Sequence, residues 1–443
     1  MGKMRASTGV AAVGCSLLLV GSPAAQAAAP TSPSERPGPT AYAFAPDAVA
    51  VEGTAGSADA PTLAAGGTYR DAIAPGETRH YAVTLDEGSS AFLTTVAAPE
   101  PGASVGSDDG IDVELLTTDN ESCARDSGGF GGGLEVYPRP ITASAGRTVA
   151  PGADCQRAGA YLYTVTRDEG VDSTVWPIEL RFGQEPRLSQ LPEAAPPWES
   201  WDSERPAPPT GEAVRVAGGT GFNDAQPVGE GVWRDDIGAG ATLAYRVPVD
   251  WGQQLALTLD LGNAAGVDEF AADSAELKIE LFNPVAARVH DPATERYRGE
   301  QLSLSAITGG AHYGNRFEDG GEGERMAFAG WYYLLVTMSP ELAALTDDPV
   351  GMTLRVSLEG EARSGPAYAS DPVAAGFGVS EAMVEQAAEG LTDEELAARQ
   401  AGDDKRRRGY LSLGAGAVLS AGIGVWYLVG RRRALAAAGP ARG

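Results

Sequence analysis

The sequence predicts an all-β protein: two antiparallel β-sandwiches of jelly-roll type in tandem, followed by a single transmembrane helix. Three observations carry this. The body repeats itself, first at a spacing of 164 residues and then with small insertions, its apolar residues alternate with period two, and a 22-residue uncharged run lies near the C-terminus between two basic clusters.

The repeat is read position by position. Tyr69-Arg70-Asp71-Ala72-Ile73 recurs as Trp233-Arg234-Asp235-Asp236-Ile237. Gly76, Tyr81, Val83, Asp86, Gly88 and Leu93 then match Gly240, Tyr245, Val247, Asp250, Gly252 and Leu257 without a gap. After small insertions, Val113-Glu114-Leu115 matches Ile279-Glu280-Leu281, and Leu180-Arg181 matches Leu354-Arg355. Two homologous domains are expected, at 47–183 and 212–360. Within them Tyr81/Val83/Leu85, Leu255/Leu257/Leu259/Leu261 and Met352/Leu354/Val356/Leu358 alternate with smaller or polar residues, the pattern of half-buried strands.

The remaining segments follow in order. Residues 1–27 read as a secretory signal peptide: Lys3 and Arg5, an apolar run from Val10 to Gly21, and Ala25-Gln26-Ala27 as the cleavage site. Residues 28–46 are a Pro/Ala/Ser-rich spacer. Residues 184–211 hold seven prolines and read as a stiff linker, with Trp198 and Trp201 available to pin it to a domain. Residues 361–408 form an acidic, partly helical stalk, with Thr392-Asp393-Glu394-Glu395 as a capping box. The run 409–430, at about 1.5 Å per residue, is long enough to span a bilayer. Arg431-Arg432-Arg433 stops transfer and leaves 431–443 as a basic cytoplasmic tail. This makes a type I, single-pass cell-membrane protein with an extracellular body. Gly416, Ser420 and Gly424 line one small-residue face through which the helix could self-associate.

Charge limits the partners. The chain has 443 residues with 33 Lys and Arg against 60 Asp and Glu, a net of −27. All acidic residues lie between Glu35 and Asp404, while ten basic ones crowd the two ends. Such a body repels nucleic acid, and no nucleic-acid partner is expected.

Within each copy the signals run as Asp59-Ala60, Pro75-Gly76-Glu77, Tyr81-Ala82-Val83 and Gly88, and as Asp224-Ala225, Ala239-Gly240-Ala241, Tyr245-Arg246-Val247 and Gly252. This order resembles the bacterial pre-peptidase C-terminal (PPC) family of β-sandwich domains, although the second copy lacks the Pro and Glu of the turn. The layout also resembles actinobacterial secreted surface proteins of unassigned role. The resemblance implies a jelly-roll fold and an accessory or binding role, since such modules are not themselves the peptidase.

Chemistry is sparsely written. The histidines are His80, His290 and His312, and neither G-x-S-x-G nor H-E-x-x-H occurs, so no catalytic residue is assigned and no enzyme is expected. No cofactor is expected either. The acidic clusters Asp108-Asp109-Asp112 and Glu318-Asp319-Glu322-Glu324 could take calcium, though without a recognised spacing. With Cys15 removed in the signal, Cys123 and Cys155 remain and read as a disulfide, with free thiols or an intermolecular bond as alternatives. Arg70-Asp71 and Arg234-Asp235, kept in both copies, point to a role in the fold.

The copies diverge most between the Val113/Ile279 and Tyr161/Tyr332 strands: Leu116 to Ala158 in one, Phe282 to Ala329 in the other. These segments are either tolerated surface insertions or recognition loops, with Tyr297, Tyr313 and Phe317 the candidate contacts. The function expected is a non-catalytic binding or structural protein of the cell envelope with a protein or cell-wall glycan partner. The alternative is a membrane-anchored hydrolase or peptidase accessory subunit.

Overall fold

The computed structural model describes residues 39–131, 134–150, 152–190, 206–265, 274–317 and 321–437; side chains are described in these except at 403–404, 406–418 and 434–437. The expected signal peptide, and Trp198 and Trp201 of the linker, lie outside the described residues. Residues 36–443 form one compact unit.

The first half supplies ten strands: β1 (Val49–Ala50), β2 (Thr62–Leu63), β3 (Thr68–Ile73), β4 (Thr78–Leu85), β5 (Ala91–Ala97), β6 (Gly110–Thr117), β7 (Ser122–Gly129), β8 (Ile141–Arg147), β9 (Gly159–Arg167) and β10 (Trp176–Gln184). The second half supplies ten more: β11 (Val214–Arg215), β12 (Gln226–Pro227), β13 (Gly231–Ile237), β14 (Thr242–Val249), β15 (Gln254–Leu261), β16 (Ala275–Phe282), β17 (Ala293–Tyr297), β18 (Leu302–Gly310), β19 (Gly330–Met338) and β20 (Val350–Glu359).

They form four five-stranded sheets, ordered β1-β3-β10-β5-β8 and β2-β4-β9-β6-β7 in the first half, β11-β13-β20-β15-β18 and β12-β14-β19-β16-β17 in the second. The two orders are the same list shifted by ten. Each half is an eight-stranded antiparallel jelly roll, with one two-residue strand added in parallel to an edge of each sheet. Alternation fills the cores. Tyr81, Val83 and Leu85 of β4 face inward with Ile111, Val113 and Leu115 of β6, and Tyr245, Val247 and Val249 of β14 face Leu255, Leu257 and Leu259 of β15.

The conserved Arg-Asp steps are explained by what the aspartates reach. Tyr81 donates its hydroxyl across the sandwich to Asp71 at 2.7 Å, and Asp71 also accepts from the Gly53 amide at 2.7 Å. In the second half Tyr245 donates to Asp235 at 2.8 Å, with the Gly218 amide at 2.7 Å. A Cβ on Gly53 would come within 2.7 Å of the Tyr81 ring, and one on Gly218 within 3.0 Å of the Tyr245 ring, so glycine lets the backbone close over each phenol. Burial, reinforced by the neighbouring carboxylate, pushes both tyrosine pKa values up.

The two sandwiches meet face to face. The outer face of the β10 sheet lies against the outer face of the β19 sheet, and their charged residues are paired within the joint. Glu179 accepts from Tyr42 (3.0 Å), Asn223 (2.8 Å) and Arg181 (2.8 Å). The stretch between β7 and β8 reaches over β16, where Tyr137 donates to Glu276 at 3.0 Å and Arg139 to Glu280 at 3.3 Å. Tyr42, inside the stretch expected as a spacer, packs with Phe222, Phe282 and Tyr333.

Past β20 the chain runs back between the sandwiches. Ser189 donates to the Ala367 carbonyl (2.7 Å) and Ala369 to that of Arg187 (2.8 Å), and Phe377 is buried against Phe92 and Phe328. Helix α2 (Glu381–Glu389) then packs on β14, and α3 runs from Asp393 to Ala437. Arg246 pairs with Asp393 at 2.6 Å near the start of α3. Among the described residues no helix is long and apolar enough to cross a membrane. The expected span 409–430 falls partly outside them, because the side chains of 409–418, Gly416 included, are not described. Ser420 and Gly424 lie on exposed helix, as do Leu419, Ile423, Val425, Trp426 and Leu428.

Candidate functional site: a cleft between the sandwiches

The two segments that diverge most between the copies converge in space. Where they meet is a cleft of about 140 Å³. The first sandwich lines it with Phe92 of β5, Arg125 of β7, Ser144 and Gly146 of β8, and Thr148. The second lines it with the turn after β16, Arg316, and Glu324 and Arg325 of the one-turn helix α1 (Glu322–Arg325).

Each wall has a local cause. Asn283 is buried and its carboxamide organises the turn, accepting from the amides of Val285 (3.1 Å) and Ala287 (3.0 Å) and donating to the Arg325 carbonyl (3.0 Å). The turn needs this help because Ala286 sits in the left-handed region at φ 58°. Thr94 donates to the Val285 carbonyl at 2.6 Å, which fixes the turn to the first sandwich, and the Thr94 hydroxyl stands 2.9 Å from that of Ser144. Phe92 and Phe328 meet edge to face at 5.0 Å and make the apolar floor. Gly146 permits this, since a Cβ there would stand 2.7 Å from the Phe92 ring.

The rim is cationic in a strongly acidic molecule. Arg316 is committed to Glu185, but Arg125 is exposed and has no ion-pair partner among the described residues. Arg325 stands 3.7 Å from Asp126, too far for a good charged hydrogen bond. Two guanidinium groups, the Ser144 and Thr148 hydroxyls and an aromatic floor suit a small carboxylate-bearing group with an apolar part.

The candidate recognition residues are placed otherwise than the sequence reading had them. Tyr297 is fully buried at the end of β17 and donates to the Gly262 carbonyl at 2.6 Å; burial pushes its pKa up to about 12. Tyr313 is also buried, under the Arg316 guanidinium at 3.5 Å and beside Trp251. Neither ring is displayed at the surface. Phe317 is exposed, at the edge of Tyr313 and outside the cleft lining. The lining residues Arg125 and Arg325 lie in the divergent segments, but only their meeting in space marks them.

Cys123 and Cys155 form a disulfide with Cα atoms 5.7 Å apart, closing the first divergent segment on itself. The histidines are scattered. His80 Nδ1 lies 3.2 Å from the Thr54 carbonyl, His290 Nδ1 lies 2.7 Å from that of Asp291, and His312 accepts from the Gly314 amide while burial, helped by Arg363, holds its pKa down. Among the described residues no group of three or more His, Cys, Asp or Glu is placed to hold a metal ion. Of the first acidic cluster, Asp109 is buried and accepts from the Gly106 (2.6 Å) and Val171 (3.1 Å) amides. Part of the second, 318–320, lies outside the described residues.

No protein-family model matches this chain, and no curated protein matches it. Similar solved structures include the tandem CBM22 domains of Paenibacillus barcinonensis Xyn10C, at 12% identity over 73% of this chain and 100% of that one, with a TM-score of 0.18. The Arabidopsis thaliana ANX1 ectodomain is similar at 10% identity over 72% of this chain and 98% of that one, TM-score 0.18. The CUB1-EGF-CUB2 domain of human MASP-1/3 is similar at 9% identity over 66% and 99%, TM-score 0.16. With TM-scores this low, none of the three carries an argument about this chain.

Proposed function

We propose that the chain is a non-catalytic binding protein of the cell envelope, and that it takes a carboxylate-bearing group of a cell-wall glycan in the cleft between its sandwiches. The observation that carries this is the convergence of both divergent segments on one concave site whose Arg125 makes no ion pair among the described residues. A rigid scaffold presenting variable segments around such a site is the arrangement of a binding module. Export is supported by the signal-like start and by the disulfide, which persists in oxidising surroundings. Residues 409–430 serve as the membrane anchor in this reading. The apolar side chains described there, Leu419 to Val429, are exposed on α3, as lipid contact would require.

The test is co-sedimentation of the detergent-solubilised chain with purified cell walls, either native or with carboxyl groups amidated by carbodiimide. Native walls should retain the protein, and amidation or the pair Arg125→Glu and Arg325→Glu should cut retention about tenfold or more. Equal retention by native and amidated walls would overturn the proposal.

A further inference from the structure

The joint between the two sandwiches leaves each with one unused sheet face, and the unused faces are homologous to the joined ones. We propose that these two faces bind each other between molecules, so that the chain associates head to tail with further copies of itself.

Strand register makes the correspondence definite. In the first sandwich Arg70 lies opposite Glu179, and Arg181 opposite Thr94; in the second Arg234 lies opposite Thr353, and Arg355 opposite Thr258. The first face is covered: Arg70 stacks on Phe44 at 4.2 Å, and Arg181 packs over Phe222 and donates to Asn223 at 2.5 Å. The second is an open groove of about 390 Å³ whose lining includes Arg215, Arg234, Asp236, Asp260 and Arg355. Arg355 is held by Asp260 (3.0 Å) and the Pro209 carbonyl (2.8 Å), and Arg215 by Asp236 (2.5 Å), whereas Arg234 has no ion-pair partner among the described residues.

The other half of the joint repeats in the same way. Glu280 on β16, which receives Arg139 from the β7–β8 connection, corresponds to Glu114 on β6, and Lys278 corresponds to Asp112. Asp112 is exposed and Glu114 half-buried on the free face of the first sandwich. The β17–β18 connection, equivalent to the one carrying Arg139, carries Arg298, exposed and unpaired among the described residues. An Arg298–Glu114 contact between molecules would therefore repeat the Arg139–Glu280 contact within one. Arg234 and Arg298 stand without ion-pair partners among the described residues on the one side, and Asp112 and Glu114 lie on the other. A heterologous contact of this kind does not close on itself and gives linear assemblies.

The experiment is sedimentation of the full chain in a mild detergent, with charge-swapped variants. The wild-type chain should show a mass that rises with concentration and falls with salt. The variant Arg234→Glu/Arg298→Glu and the variant Asp112→Arg/Glu114→Arg should each lose self-association about tenfold or more, because each then sets like charges at the contact. Mixing the two should restore pairing, which a variant that merely failed to fold could not do. A monomeric wild type, or association unchanged in both variants, would overturn the proposal. Arg125 and Arg325 are kept and their neighbours unchanged in the Arg234→Glu/Arg298→Glu variant, so its result is independent of the cleft reading; Glu114 lies opposite Arg125 on β7, so the second variant is compared with the first.

Discussion

Arg316 of the second sandwich sets both terminal nitrogens on the carboxylate of Glu185, the residue that follows the last strand of the first, with Nη2 3.0 Å from Oε1 and both side chains buried. Tyr368 adds a third donor to the same carboxylate at 2.7 Å, and the remaining Arg316 donors meet the carbonyls of Tyr313 (2.9 Å) and Ala327 (2.9 Å). The pair ties three segments distant in sequence at one point.

Removing one partner of such a pair leaves a buried, uncompensated charge. Arg316→Ala should lower stability by about 3–5 kcal/mol and separate the melting of the two sandwiches in calorimetry. Replacing both partners together, Glu185→Gln with Arg316→Met, should cost much less than the sum of the single changes. Additive losses in a double-mutant cycle would mean that the two side chains do not act as a unit.

The tyrosine–aspartate clamps set an alkaline limit. Tyr81 and Tyr245 are raised above the ordinary tyrosine value, first by burial and then by Asp71 and Asp235. A group whose pKa is raised on folding gives stability that is complete below its unfolded value and is lost as pH rises toward the folded one. Stability should therefore begin to fall above about pH 10. Tyr81→Phe and Tyr245→Phe should each cost about 1–3 kcal/mol at neutral pH by leaving a carboxylate short of a donor. Each should also flatten the alkaline slope, which urea titration between neutral and alkaline pH would measure.

The Cys123–Cys155 bridge joins residues 32 apart and restrains the unfolded first segment. By loop entropy its loss costs about 3–4 kcal/mol. Replacing both cysteines with Ser should lower the melting of the first sandwich and so separate it from that of the second, which has no cysteine and should stay in place. An equal drop in both transitions would show that the bridge acts through the joint.

Much of each sandwich could be read from the chain because its information is local. Tyr81/Val83/Leu85 alternate as a half-buried strand must, and the matched pairs Asp71/Asp235 and Tyr81/Tyr245 carry the clamp in both copies. The joint was not legible. Glu276, Lys278 and Glu280 alternate with Leu277, Ile279 and Leu281, which reads as a solvated strand face, yet all of them are buried under the first sandwich. Nothing in their own strand reports the Tyr137 and Arg139 that cover them from 140 residues away. The burial of Tyr297 and Tyr313 was hidden for the same kind of reason. Aromatic residues in a divergent segment look displayed, and only the neighbours Gly262 and Arg316 show that their rings are used internally.

The return of the chain between the sandwiches decides how the molecule bears mechanical load. A pull applied through α3 reaches the body first at Asp393 on Arg246 and at α2 on β14, then by way of Phe377, wedged against Phe92 and Phe328, and then by the two backbone bonds linking Arg187–Ser189 to Ala367–Ala369. Tension therefore crosses the seam, where both jelly rolls share it, before it reaches β20. Strand β20 lies between β13 and β15, hydrogen-bonded on both sides, and would resist in shear. Under tension, the short contacts between α3 and β20 would yield first and act as a mechanical fuse, with the folded sandwiches surviving the event.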